Sequence, residues 1–260
     1  MNSNTIAFSV ADGIATITLN RPEVYNSFNT EMAHALQECL RQCHNLPNVR
    51  AVLLTGEGKG FSAGQDLAEA STPGSLPIEE IVHSNYNPII LQLRQLPKPV
   101  VAAVNGVAAG AGANIALACD IVVAKESASF IQAFSKIGLI PDSAGTYILP
   151  RLVGLQRAAA LMFTADKVMA REAQEMGMIY KAIPDENFDS EVEALVKKLA
   201  EMPTKGLAYT KELLNETFSS SLKDQLNMEA HIQAKAAATS DFKEGVQAFI
   251  EKRKPTFTGE

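Results

Sequence analysis

No uninterrupted apolar run in this 260-residue chain reaches the roughly 20 residues that a membrane-crossing helix needs. An excess of positive charge is lacking too. The net charge is −6 at pH 7, which argues against a general nucleic-acid binder but leaves room for a local basic pocket. The first basic residue is Arg21, so the start has neither the charged opening nor the apolar core of a secretory signal. Cysteine is scarce: Cys39, Cys43 and Cys119 form an odd set. Without a secretory signal, they predict reduced thiols and a cytoplasmic location. His34, His44, His83 and His231 are scattered without ligand-like spacing, so no metal site is expected. Neither G-x-G-x-x-G nor the Walker pattern occurs, which removes support for nucleotide-phosphate cradles of those kinds.

The length suits one large domain, or a domain with a helical appendage. Hydrophobic residues at 47% and charged residues at 20% are ordinary for a well-filled core. The opening "IAFSVADGIATITLNRP" reads as two strands joined at Asp12-Gly13. A helix follows from about Glu31 to Leu46, capped by Asn29 or Thr30. Met32, Leu36, Cys39, Leu40 and Cys43 form its apolar stripe. "VRAVLLTG", "PVVAAVNGVAAG" and "CDIVVAKES" read as short buried strands, with helical patterns at Ile89–Gln95 and Gly112–Ala118 between them. This alternation predicts an α/β fold with a largely parallel sheet. Residues 68–80 are turn-rich and read as a mobile loop, and the chain beyond Ala170 turns mainly helical.

Chemical information concentrates in two turns. "GKGFSAGQDL" follows one strand and "NGVAAGAGANIALA" follows another. Small residues there let a ligand approach the backbone, and amides opening a helix lack intrahelical partners. Two such amides on neighbouring strands could share one oxygen as an oxyanion hole. The competing reading is of ordinary loops whose glycines relieve strain. A third stretch, "SKIGLIPDSAGTYILPRLVG", holds a lone acid, Asp142. Local sequence offers it two roles: cap of a helix starting near Ser143, or sole proton carrier of a site.

The segments "LNRPEVYNSFN", "GKGFSAGQDL", "NGVAAGAGANIALACDIVVA", "IGLIPDSAGTYILPRLVG" and "EAQEMGMI" resemble, in order and spacing, the enoyl-CoA hydratase/isomerase (crotonase) family. The likeness runs over essentially the whole chain. It implies a crotonase (ClpP/crotonase-like) spiral of ββα units over residues 1–200, and a C-terminal helical trimerisation region over 201–260. It also implies a homotrimer or homohexamer and acyl-CoA thioester substrates, with no separate cofactor because CoA is part of the substrate. By the resemblance, the oxyanion amides belong to Gln65 and Ala111, the latter preceded by Gly110. Ala63, Gly64, Gln65, Asp66 and Leu67 would line the CoA channel.

The chain also departs from the family pattern. Enoyl-CoA hydratases hold and activate water with two glutamates, and the matching positions here carry Asn114 and Phe134. Neither exchanges a proton, so hydration by that route is not expected. In family branches that shift double bonds or act on aromatic acyl groups, an aspartate stands where Asp142 does. A single carboxylate suits isomerisation, and Phe134, Ile140 and Tyr147 would raise its pKa. Two alternatives stay open. Asp142 could attack an aromatic ring carbon, as in the dehalogenase branch, or the chain could bind acyl-CoA without turnover. Asp66 reads as a cap or brace, and Asn114 as either a site hydrogen-bonder or a structural polar residue. Lys252, with Arg253 and Lys254, reads as a contact for CoA phosphates or as a solvated helix end.

Overall fold

The computed structural model describes residues 4–70, 74 and 76–260. Strands β1 (Ile6–Ala11) and β2 (Ile14–Leu19) pair antiparallel with Ala11 opposite Ile14, leaving Asp12-Gly13 as a two-residue turn. Both turn residues have positive φ, 50° and 77°, as a type I′ hairpin requires. Helix α1 (Thr30–Asn45) is capped by Asn29, whose side chain accepts the Met32 N–H at 2.9 Å. Its predicted stripe is buried in the core.

The chain then repeats one move. A strand joins a large sheet, a short strand joins a smaller sheet, and a helical segment leads to the next pair. The pairs are β3 (Ala51–Gly56) with β4 (Gly60–Ser62), β5 (Val100–Val104) with β6 (Val107–Ala109), and β7 (Ile121–Lys125) with β8 (Ser129–Ile131). After the first pair come α2 (Leu67–Ala70), α3 (Ile78–Ile81), a π-helical turn (Val82–Tyr86) and α4 (Asn87–Gln95). After the second comes α5 (Ala111–Leu117). After the third come α6 (Gly145–Val153) and α7 (Leu155–Thr164), then β9 (Lys167–Met169), α8 (Ala170–Glu175) and β10 (Lys181–Ile183).

The large sheet runs β1-β2-β3-β5-β7-β10, parallel from β2 onward, and the small sheet runs β4-β6-β8-β9. All of β5 is buried, which explains its unbroken apolar sequence: a central parallel strand has no wet face. One face of the large sheet packs into the main core with α1 and α4. The other is covered by α9 (Phe188–Ala200), through Phe188, Val192 and Val196. Strands β9 and β10, at three residues each, are too short to leave a periodic signal in sequence.

Helices α10 (Thr204–Glu216), α11 (Leu222–Ala237) and α12 (Ser240–Glu251) close the chain. Arg50 binds this region to β3 by donating to the carbonyls of Met202 at 2.7 Å and Phe257 at 3.2 Å. Buried Lys211 pairs with Asp120 at 2.7 Å. Within the predicted loop at 68–80, α2 and α3 stand at the two ends, and residues 71–73 and 75 lie outside the described residues. No described helix is long and apolar enough to cross a membrane.

Candidate active site

The first turn follows β4. Phe28 N–H donates to the Gly64 carbonyl at 2.7 Å, and Asp66 N–H donates to the Phe28 carbonyl at 2.9 Å. These bonds form a one-residue parallel bridge opposite Gln65. Peptide groups alternate along an extended chain, so the Gln65 N–H points away from Phe28 and takes no part in the bridge. Asp66 braces the same turn. It accepts the Ala68 N–H at 3.1 Å at the start of α2 and pairs with the Arg21 guanidinium at 2.9 Å. Arg21 also donates to the Ser27 carbonyl at 2.7 Å. Ala63 and Leu67 are exposed on either side.

The second turn follows β6. Gly110 N–H donates to the Ile131 carbonyl at 2.9 Å, and Ala111 opens α5 with no intrahelical acceptor for its N–H. The two turns touch. A Cβ placed on Gly64, whose φ is 91°, would sit 2.8 Å from the Ala109 oxygen and 3.3 Å from the Ala111 nitrogen. Only glycine fits there, and the contact sets the Gln65 and Ala111 turns side by side. The buried Phe134 ring covers Gly110, at 3.8 Å from where a Cβ would stand.

Asp142 lies on a tight turn before α6. Ser143 and Ala144 both have left-handed backbones, with φ of 49° and 59°. Strain of this kind is tolerated where the surrounding structure enforces it. The Asp142 carbonyl accepts the Gly145 N–H and the Asn114 side-chain amide, each at 2.8 Å. Asn114 Oδ1 in turn accepts from buried Gln132 at 2.9 Å. Gly145 is needed for this approach, because a Cβ on it would lie 2.3 Å from Asn114 Nδ2. The Asp142 carboxylate accepts the Ser143 hydroxyl at 2.8 Å. Burial pushes its pKa above the ordinary aspartate value, and the Ser143 bond opposes that rise.

Expectations about Asp142 and its surround are corrected, and the structure places Lys252 and Asn114. Asp142 is not a helix cap: α6 starts at Gly145, Ala144 holds the cap position, and no side chain caps that end. Ile140 and Tyr147 are not themselves buried beside the acid. Ile140 is 80% exposed, while Tyr147 is 52% exposed and stacks on Arg151. Lys252 ends α12, a helix packed on α11. Its side chain has no hydrogen bond or ion pair among the described residues, and its companions Arg253 and Lys254 pair with Glu244 and Glu201. Asn114 holds main chain, donating from Nδ2 to the Asp142 carbonyl at 2.8 Å.

Tyr86, Ser143, Gln132 and Arg21 escaped the sequence reading. Ser143 adjoins Asp142, and Arg21 stands in "LNRPEVYNSFN", so both had a positional signal. Tyr86 had none. It ends the π-helical turn, is 1% exposed, and meets Phe28 edge-on at 6.3 Å between ring centres. No group of three metal-ligating side chains occurs among the described residues. A cleft of about 960 Å³ between β1 and α1, lined by Phe8, His34 and Glu38, shares no residue with these turns.

A family model described as enoyl-CoA hydratase/isomerase matches residues 9–260. The chain is 46% identical over 253 residues to the 1,2-epoxyphenylacetyl-CoA isomerase of Escherichia coli K12, covering 96% of this chain and 97% of that one. It is 44% identical over 259 residues to a protein of Rhodobacter capsulatus named "Probable enoyl-CoA hydratase", covering 100% of both. The crystal structure of an enoyl-CoA hydratase from Bacillus anthracis superposes with a TM-score of 0.92 at 34% identity, over 98% of this chain and 100% of that one.

Proposed function

This chain belongs to the enoyl-CoA hydratase/isomerase family, whose members act on acyl-CoA, and on that premise we propose that it is an acyl-CoA isomerase with Asp142 as its proton shuttle. The observation that carries the reading is the contrast between Asp142 and the two family glutamate positions. Asn114 has both ends of its amide committed to Gln132 and the Asp142 backbone, and Phe134 is a buried hydrocarbon. Asp142 is a half-buried carboxylate with a raised pKa, which makes it a stronger base than an exposed one.

On a 3-enoyl-CoA, the Asp142 carboxylate removes a proton from C2. The C2–H electron pair moves into the thioester, making an enolate whose oxygen is held by the Gln65 and Ala111 N–H groups. The same carboxyl then returns the proton to C4, and the double bond settles between C2 and C3. On a ring-1,2-epoxyphenylacetyl-CoA, loss of the C2 proton feeds electrons into the ring, which expands to the seven-membered oxepin as the proton returns to a ring carbon. The relative from Escherichia coli supports this second substrate and a place in phenylacetate catabolism. The reading needs no cofactor beyond the CoA of the substrate. It includes a cytoplasmic homotrimer or homohexamer, for which exposed Leu155, Phe163 and Phe249 supply apolar surface.

The test is double-bond migration and deuterium uptake from D2O on 3-hexenoyl-CoA, comparing the parent with Asp142→Asn. Migration in the parent and none in the variant is expected. Equal migration in both would remove Asp142 from the mechanism.

A further inference from the structure

Gln132 is a buried polar side chain to which the mechanism above gives no part. It follows β8 directly and is 4% exposed. Its Nε2 donates to Asn114 Oδ1 at 2.9 Å, while its Oε1 is sealed from solvent and has no hydrogen-bond partner among the described residues. A buried acceptor left unpaired costs free energy, so this orientation calls for a reason.

The reason runs backward from Asp142. A backbone carbonyl only accepts, so the group that Asn114 turns to the Asp142 carbonyl at 2.8 Å must be its Nδ2. Asn114 Oδ1 then faces Gln132, which must present Nε2 and turn Oε1 away. Were Gln132 reversed, two oxygens would meet. Asn114 would then be drawn to offer its own Nδ2 to Gln132 and set its Oδ1 against the Asp142 carbonyl. The end of the amide that Gln132 presents therefore decides which end of Asn114 reaches the turn that carries the acid. That turn needs an external tie, because Ser143 and Ala144 both hold left-handed backbones. One residue back, the Ile131 carbonyl accepts the Gly110 N–H at 2.9 Å. The end of β8 thus holds the turn before Ala111 and, through Asn114, the turn of Asp142. We infer that Gln132 is a positioning residue of this site: it orients the Asn114 amide and thereby sets the Asp142 carboxylate against the acyl group. The inference rests on the isomerase reading.

The experiment measures kcat and KM for double-bond migration on 3-hexenoyl-CoA in the parent, Gln132→Met, Asn114→Ala and the double variant. In Gln132→Met, kcat is expected to fall on the order of ten- to a hundredfold, the scale of a misplaced reacting group, with KM held within about twofold. The melting temperature should change little, because methionine removes the unpaired Oε1 together with the donor. In the double variant kcat should be no lower than in Asn114→Ala, since Gln132 acts only through Asn114. A second variant, Gln132→Glu, keeps the shape of the side chain. The ratio of its kcat to the parent's should fall between about pH 5 and pH 9, because a protonated carboxyl donates to Asn114 Oδ1 and an ionised one cannot. An unchanged kcat, a loss confined to KM, a further loss in the double variant, or a ratio flat across that range would each overturn the inference. In all of those cases, loss of migration in Asp142→Asn would leave the isomerase reading standing. No migration by the parent would end both.

Discussion

The Asn114 side chain holds the main chain of Asp142. Its Nδ2 donates to the Asp142 carbonyl at 2.8 Å while its Oδ1 accepts from Gln132 at 2.9 Å. Asn114 thereby fixes the turn, left-handed at Ser143 and Ala144, that carries Asp142.

Asn114→Ala would cut that tie and leave the Gln132 amide without its partner, in addition to the Gln132 oxygen that already has none. A destabilisation of about 1–3 kcal/mol is expected from the lost buried hydrogen bonds. Turnover should fall more than substrate binding, because the turn carrying Asp142 loosens while the Gln65 turn does not. Urea unfolding and steady-state kinetics on 3-hexenoyl-CoA measure the two effects, and an unchanged kcat would refute the tie's importance.

The pH dependence follows from the raised Asp142 pKa, caused first by burial and opposed by the Ser143 hydroxyl. The base must be ionised, so kcat/KM should fall on acidification at a pH above the ordinary aspartate range. Ser143→Ala removes the opposing bond and should move that limb to still higher pH. A pH–rate profile of both proteins checks this, and a shift to lower pH would contradict it.

The same shift predicts the stability of Asp142→Asn. A carboxyl with a raised folded pKa binds its proton more tightly in the folded chain. Its stabilising contribution is full below the unfolded pKa and is lost as pH rises through the folded one. At neutral pH, Asp142→Asn should therefore melt higher than the parent, with the gap closing as the pH is lowered. Thermal melts across the acid range decide it.

Ala111→Pro removes one N–H at the first position of α5, where proline is otherwise well tolerated. The fold should persist, and turnover should drop on the order of 10²- to 10³-fold if that amide binds the enolate oxygen. Circular dichroism with kinetics provides the comparison, and normal turnover would remove Ala111 from the site.

The three cysteines are free and buried. Burial pushes the Cys39 thiol up to about 11 and those of Cys43 and Cys119 to about 12, so they hold their protons at neutral pH. Iodoacetamide at pH 8 should leave the native protein unmodified and label all three after unfolding, as read by intact mass. Labelling of the native protein would place a thiol within reach of solvent.

The sequence by itself determined what depends on short spacing. The Asp12-Gly13 hairpin, the Asn29-capped helix with its apolar stripe, and the run of β5 follow from local periodicity and turn chemistry. Family motifs carried the reading further, to the spiral of strand pairs, and singled out Gln65, Ala111 and Asp142 as candidates. Tertiary structure alone decided what those residues touch. Asp142 had two equally local meanings, and the left-handed backbone at Ser143 and Ala144 removed one of them by delaying α6 to Gly145. Asn114 had two meanings as well, and only the fold shows that its amide reaches a carbonyl 28 residues away. Tyr86 had no signal, because its position depends on a π-helical turn packing against Phe28, and contacts between distant segments leave no period along the chain.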